Sequence, residues 1–118
     1  MRRLIPALLL LAALSAPVPA IAAPDEARHY YLQGVMETGS ELLLRPDGRF
    51  QWYLSVGALD LFAEGRWVEA EGAVLLTAEK SAQVPEPGFE TLRLTVRGAD
   101  LIPPDGHGAY RLPDAAHD

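Results

Sequence analysis

Beyond residue 28, apolar and polar residues alternate with a period of two along most of the chain. Short clusters of Gly, Pro, Asp and Ser interrupt the alternation. Period two is the repeat of a half-buried β-strand, in which successive side chains point to opposite faces. The clearest stretch is 42–67, L-L-L-R-P-D-G-R-F-Q-W-Y-L-S-V-G-A-L-D-L-F-A-E-G-R-W, which holds both tryptophans. At its centre, Arg45-Pro46-Asp47-Gly48 reads as a type I turn followed by a left-handed glycine. Proline presets φ at the second position, and glycine takes positive φ without a Cβ clash. This is a hairpin connection.

The pattern predicts strands over 29–36, 41–45, 49–55, 61–69, 73–78 and 89–97, with a short one at 101–102. In the first, Tyr30, Leu32 and Met36 share a face with Gly34, whose lack of a side chain suggests a bulge or a close neighbour. Residues 37–40 carry no large apolar group and read as a turn. In 49–55, Phe50, Trp52 and Leu54 point inward, and Tyr53 points outward. In 61–69 the inward face is Leu61, Ala63, Gly65 and Trp67, whose small members leave room for Trp52. The nearly continuous apolar run 73–78 predicts a central strand. Residues 79–88, with Pro85 and Pro87, form a loop longer than an ordinary hairpin connection. Pro103 and Pro104 are expected to stop the last strand at a sheet edge. The resulting fold class is all-β: an antiparallel meander of six to seven strands forming a small barrel or half-barrel. The domain is expected over 23–104. Residues 105–118, rich in Gly, Pro, Asp and His, are expected to form a flexible C-terminal tail from which Tyr110 and Leu112 pack back.

The first 22 residues follow a different pattern. Met1-Arg2-Arg3 is basic, 4–14 is apolar, and Ala20-Ile21-Ala22 has the small residues that signal peptidase accepts. The expectation is a cleavable signal helix over 1–22. Its apolar core is shorter than the roughly 20 residues of a membrane span. A periplasmic or secreted, soluble mature protein follows, without membrane insertion after cleavage. The chain has no cysteine, so it has no disulfide, thiolate metal site, Cys nucleophile or lipid-modified cysteine. The formal charge is −6, and removal of Arg2 and Arg3 takes it to −8. That balance argues against nucleic-acid binding, which needs a basic footprint.

Candidate chemistry is sparse. Glu37, Glu41, Asp47, Asp60 and Glu64 invite a paired-carboxylate reading, which requires two carboxyls across a cleft. Turn chemistry explains Asp47, and an ion pair with Arg66 explains Glu64. Asp60 follows a Gly-Ala-Leu corner and is read first as a capping residue. His29, His107 and His117 lack metal-ligand spacing, and no serine sits in a nucleophile elbow. No catalytic residue, cofactor or metal is assigned. The aromatics are the stronger lead. Tyr30, Phe50, Trp52 and Trp67, with Asp60, are the candidate ligand-binding set if the barrel holds a cavity. Core packing is the competing explanation for the four rings. Tyr31 and Tyr53 lie on the opposite faces of their strands and mark a candidate interaction face.

The stretch 34–67 contains E-T-G-S-E-L-L-L-R-P-D-G-R-F, then G-A-L-D, then G-R-W. It resembles a group of uncharacterised exported bacterial proteins with the same D-G-x-F, G-A-x-D and G-x-W order. It is also similar to lipocalin-type (calycin) small barrels. The resemblance implies a small β-barrel and no particular activity. Two readings stay open: a noncatalytic module that binds a small hydrophobic ligand or an envelope partner, and an interaction or inhibitor module acting through one sheet face. A hydrolase using Asp60 and a neighbouring Glu is a third.

Overall fold

A computed structural model describes residues 26–113. The signal segment expected at 1–22 and the end of the tail expected at 105–118 lie outside the described residues. Eight antiparallel strands follow in order: β1 (Arg28–Gln33), β2 (Thr38–Leu44), β3 (Arg49–Val56), β4 (Leu59–Ala70), β5 (Ala73–Ala78), β6 (Thr91–Arg97), β7 (Asp100–Ile102) and β8 (Ala109–Arg111). Each pairs with its sequence neighbours, and β8 pairs back onto β1, so the meander is a closed barrel. Closure removes every sheet edge. The described residues contain no helix.

The β2–β3 turn forms as its residues dictate. The Gly48 N–H donates to the Arg45 carbonyl at 3.0 Å, Gly48 has φ 87°, and the Arg49 N–H donates to the Asp47 carboxylate at 3.0 Å. Trp67 then ties β4 to this turn. Its backbone N–H donates to the Gly48 carbonyl and its indole N–H to the Arg45 carbonyl, both at 2.9 Å. The register places Trp52 opposite Ala63 and Phe50 opposite Gly65, so the large rings of β3 lie beside the small residues of β4. The buried core is Tyr30, Leu42, Leu44, Phe50, Trp52, Ala63, Trp67, Val74, Leu76, Leu94, Leu101 and Tyr110.

The all-β antiparallel barrel is as expected, and five details of it need correction. There are eight strands. The segment expected to begin a flexible tail at 105 supplies β8, because Tyr110 buries its ring and pairs with Leu32 on one side and Leu101 on the other. Pro103 and Pro104 do end β7, but β8 covers the edge that they were expected to leave. Residues 38–40 belong to β2 rather than to a turn. Ser40 takes an inward position that a large apolar residue would otherwise hold, and its hydroxyl is hydrogen-bonded there. Finally, β6 starts at Thr91, and Phe89 lies before the strand, half-buried against the core.

Close approach of β4 and β5 fixes Gly65. A Cβ at that position would lie 2.1 Å from the Thr77 carbonyl oxygen. Gly65→Ala should therefore lower stability by about 3 kcal/mol or prevent folding. Gly39→Ala, where nothing lies within 4 Å of the added methyl, should be tolerated. Chemical denaturation of the two variants side by side checks this contrast.

Candidate functional site

The barrel interior contains a polar chain that the fold must satisfy. The Trp52 indole N–H donates to the Tyr110 hydroxyl at 3.0 Å. The Ser40 hydroxyl donates to the Tyr53 carbonyl at 2.6 Å, so at 2.7 Å it accepts from Tyr110. One direction therefore runs through the chain, from Trp52 to Tyr110 to Ser40 to the β3 backbone. Each of these buried polar groups has a partner, as buried polar groups require. Phe89 fills the space beside them. Its ring meets Trp52 edge-on, with centroids 4.9 Å apart, and lies parallel to Phe50 at 6.0 Å. The loop preceding Phe89 is held against β4 where the Gly88 N–H donates to the Phe62 carbonyl at 2.8 Å.

Of the proposed ligand-binding set, Tyr30, Phe50, Trp52 and Trp67 lie together in this packed interior. The Arg28 guanidinium lies over the Tyr30 and Trp67 rings, 5.9 and 5.6 Å from their centroids, and 3.9 Å from Glu69. Asp60 is separate from them. It sits in β4 opposite Ser55, exposed on the outer surface, and accepts from the Tyr53 hydroxyl at 3.3 Å. It does not cap a corner, since β4 already begins at Leu59.

Tyr31 and Tyr53 do share a face. The register runs Tyr31, Glu41, Tyr53, Phe62 across β1, β2, β3 and β4, and beside it runs His29, Leu43, Gln51, Glu64. His29 stacks on Tyr31 at 4.5 Å and donates from Nε2 to Glu41 at 2.9 Å. Tyr53 lies 5.2 Å from Phe62, and Phe62 is 51% exposed. Two depressions flank Phe62. One, of about 220 Å³, is lined by Glu41, Leu43, Gln51, Tyr53 and His29. The other, of about 340 Å³, is lined by Gln51, Glu64, Gln83 and Val84.

A third cavity, of about 300 Å³, opens at one end of the barrel. Leu32, Val35, Leu54, Val56, Pro103 and the Tyr110 ring line it, with Asp105 and His107 at its lip. It exists because the inward alternation continues past the packed interior to Thr38, Val56 and Leu59. Sequence reasoning assigned no site role to Ser40, Phe62, Phe89 or Tyr110. For Phe62, placement opposite Tyr53 was the available signal.

Asp60 and Glu64 are not spaced as a catalytic pair. Asp60 and Glu64 lie four residues apart on one face of β4, about 13 Å along the strand, wider than the roughly 5–10 Å of a carboxylate pair. Glu64 accepts from the Ser81 hydroxyl at 2.7 Å, and Glu37 sits in the β1–β2 turn. Among the described residues, no three His, Asp or Glu side chains converge as a metal site would require. Comparisons with protein-family models, curated proteins and solved structures gave no match to the chain.

Burial raises the phenol of Tyr110 above its ordinary value; the Ser40 and Trp52 hydrogen bonds offset this in part, and the Asp105 charge adds to it. Burial also raises Tyr30, against the nearby Arg28 charge and with that of Glu69. A phenol raised on folding contributes stability that is fully present below the unfolded value near 10 and is lost as pH rises through the folded one. These two phenols should therefore lower the denaturation midpoint as pH rises above about 10. Tyr110→Phe should cost about 2 kcal/mol at neutral pH, because it leaves the Ser40 hydroxyl and the Trp52 indole short of a partner. It should also reduce the alkaline fall. Urea midpoints measured across pH for both proteins test these outcomes.

Proposed function

We propose that the protein is a noncatalytic binding module that engages a protein partner through the outer face of β1–β4. The observation that carries this reading is the cross-strand row of Tyr31, Tyr53 and Phe62 with Glu41 among them. Surface aromatics grouped on a rigid sheet supply contact area at low entropic cost, and such residues dominate binding energy at interfaces. The filled interior supports the same reading, since Trp52, Phe50, Phe89 and Tyr110 occupy the space that a ligand inside the barrel would need. The signal-like segment 1–22 and the resemblance to exported small barrels support a periplasmic or secreted place of work, with an envelope protein as partner.

A second reading rests on the apolar cavity at the barrel end. A small hydrophobic ligand would sit there, above Tyr110, rather than among Tyr30, Phe50, Trp52 and Trp67. Val56 points into this cavity and is partly exposed, so Val56→Trp would block it without disturbing the packed interior. Under this reading, medium-chain alcohols raise the melting temperature of the wild type and not that of Val56→Trp. An equal response of both proteins removes it.

For the primary reading, Tyr31→Ala, Tyr53→Ala and Phe62→Ala are combined in one variant. Tyr31 and Phe62 are exposed and Tyr53 is half-buried against Phe62, so the variant should stay folded, with a melting temperature only a few degrees below that of the wild type. Crosslinking in the native compartment followed by mass spectrometry should identify a partner with the wild type, and its recovery should fall by about tenfold or more with the variant. Unchanged recovery from a folded variant would refute the assignment of this face.

A further inference from the structure

The two depressions beside Phe62 share one composition. Each has an aromatic wall and a single carboxylate: Tyr53 and Phe62 with Glu41 in the first, Phe62 with Glu64 in the second. Gln51 lies between them and lines both. Among the described residues, no lysine or arginine lines either depression. The nearby Arg45 guanidinium is held by the Gln51 amide oxygen at 3.1 Å. Asp60, on the Tyr53 hydroxyl, adds a third carboxylate to the face.

We infer that these depressions receive two cationic side chains, arginines above all, from one extended segment of the partner protein. The inference rests on the reading of this face as the binding surface and gives that surface its chemistry. A planar guanidinium stacks on an aromatic ring and also forks onto a carboxylate, so one side chain uses both features of a depression. The carboxylates are poised for it. Glu41 uses Oε1 for His29, and Glu64 uses Oε2 for Ser81. The second oxygen of each makes no hydrogen bond among the described residues. Both carboxylates are anchored by these bonds, which lowers the ordering cost on binding. The whole chain has a formal charge of −6, and the two arginines in the next row of this face, Arg49 and Arg66, are paired with Glu79 at 3.0 and 3.5 Å rather than with Glu41 or Glu64. An apolar segment would desolvate both carboxylates, with only the His29 imidazole on Glu41 and the Ser81 hydroxyl on Glu64 as partners.

The probes are short synthetic peptides of alternating serine and arginine. Matched peptides carry citrulline, the neutral isostere, or leucine in place of arginine. Amide shifts of the labelled wild-type protein are followed by NMR during titration. The arginine peptide should shift residues of β1–β4 around positions 29–31, 41–43, 51–53 and 62–64. It should bind on the order of tenfold more tightly than the citrulline peptide. Glu41→Gln and Glu64→Gln keep the oxygens that His29 and Ser81 use. Each should weaken the arginine peptide by about threefold and leave the citrulline peptide unchanged.

Equal binding of citrulline or leucine peptides overturns the inference. So do shifts confined to another surface, and so does no binding at all. The two levels separate cleanly. Loss of the native partner in the triple alanine variant, without arginine preference, keeps the face and removes its cationic chemistry. Retention of the partner in that variant removes both.

Discussion

Everything in this barrel depends on how Tyr110 is held. Its ring is buried between Leu32 and Leu101, and its hydroxyl takes the Trp52 indole proton while giving its own to Ser40. One side chain thus connects β8, β3 and β2. The short strand that carries it has only three residues, too few for backbone pairing alone to hold it. The buried hydroxyl chain supplies the missing specificity, because any other seating of β8 would strand polar groups inside an apolar core. The interior consequently has no room to spare near Trp52. Phe89 enters from the long loop, and Gly88 is the residue before it because a Cβ there would lie 2.8 Å from the Trp52 ring.

The packed centre moves the functional question to the outer face and to the barrel end. The closed sheet keeps one set of side chains in and sends the other set out, and the same register that stacks Trp52 on Ala63 aligns Tyr53 with Phe62. Core and surface are two readings of a single alternation. The outer row is rigid for that reason: its side chains stand on strands fixed by the packing beneath. The cavity at the barrel end has a different origin. It lies where the strands outrun their packed contents, and it is bounded by hairpin ends and the β7–β8 loop.

The sequence disclosed the local features well and the long-range ones poorly. Arg45-Pro46-Asp47-Gly48 announced its turn because every determinant of that turn is local. The strands at 49–55 and 73–78 were legible from strict alternation and from a continuous apolar run. The small residues of β4 correctly pointed to Trp52 as their neighbour. Ser40 was hidden because a buried hydroxyl looks like a turn residue until its partner, 70 residues away, is known. Tyr110 was hidden by its Gly-, Pro- and Asp-rich surroundings. Asp60 was misread as a corner residue because the β3–β4 connection is tighter than its composition suggests. The candidate interaction pair, Tyr31 and Tyr53, could be placed on outward faces by parity alone. That they share a row through Glu41, and that Phe62 extends it, required the register.

Closure through β8 also constrains the order in which the molecule can form. The contacts that join β1 to β8 span most of the barrel sequence, and loop closure over such a distance is entropically costly and slow. Strands β2 to β5 are joined by short turns and can assemble locally. Their sheet keeps two open edges until Tyr110 arrives. A nascent chain therefore remains an open, pairing-competent sheet for as long as β8 is held elsewhere, and the final closing step converts it into an edge-free body. Until β8 docks, those open edges are surfaces on which a strand of a neighbouring chain can pair.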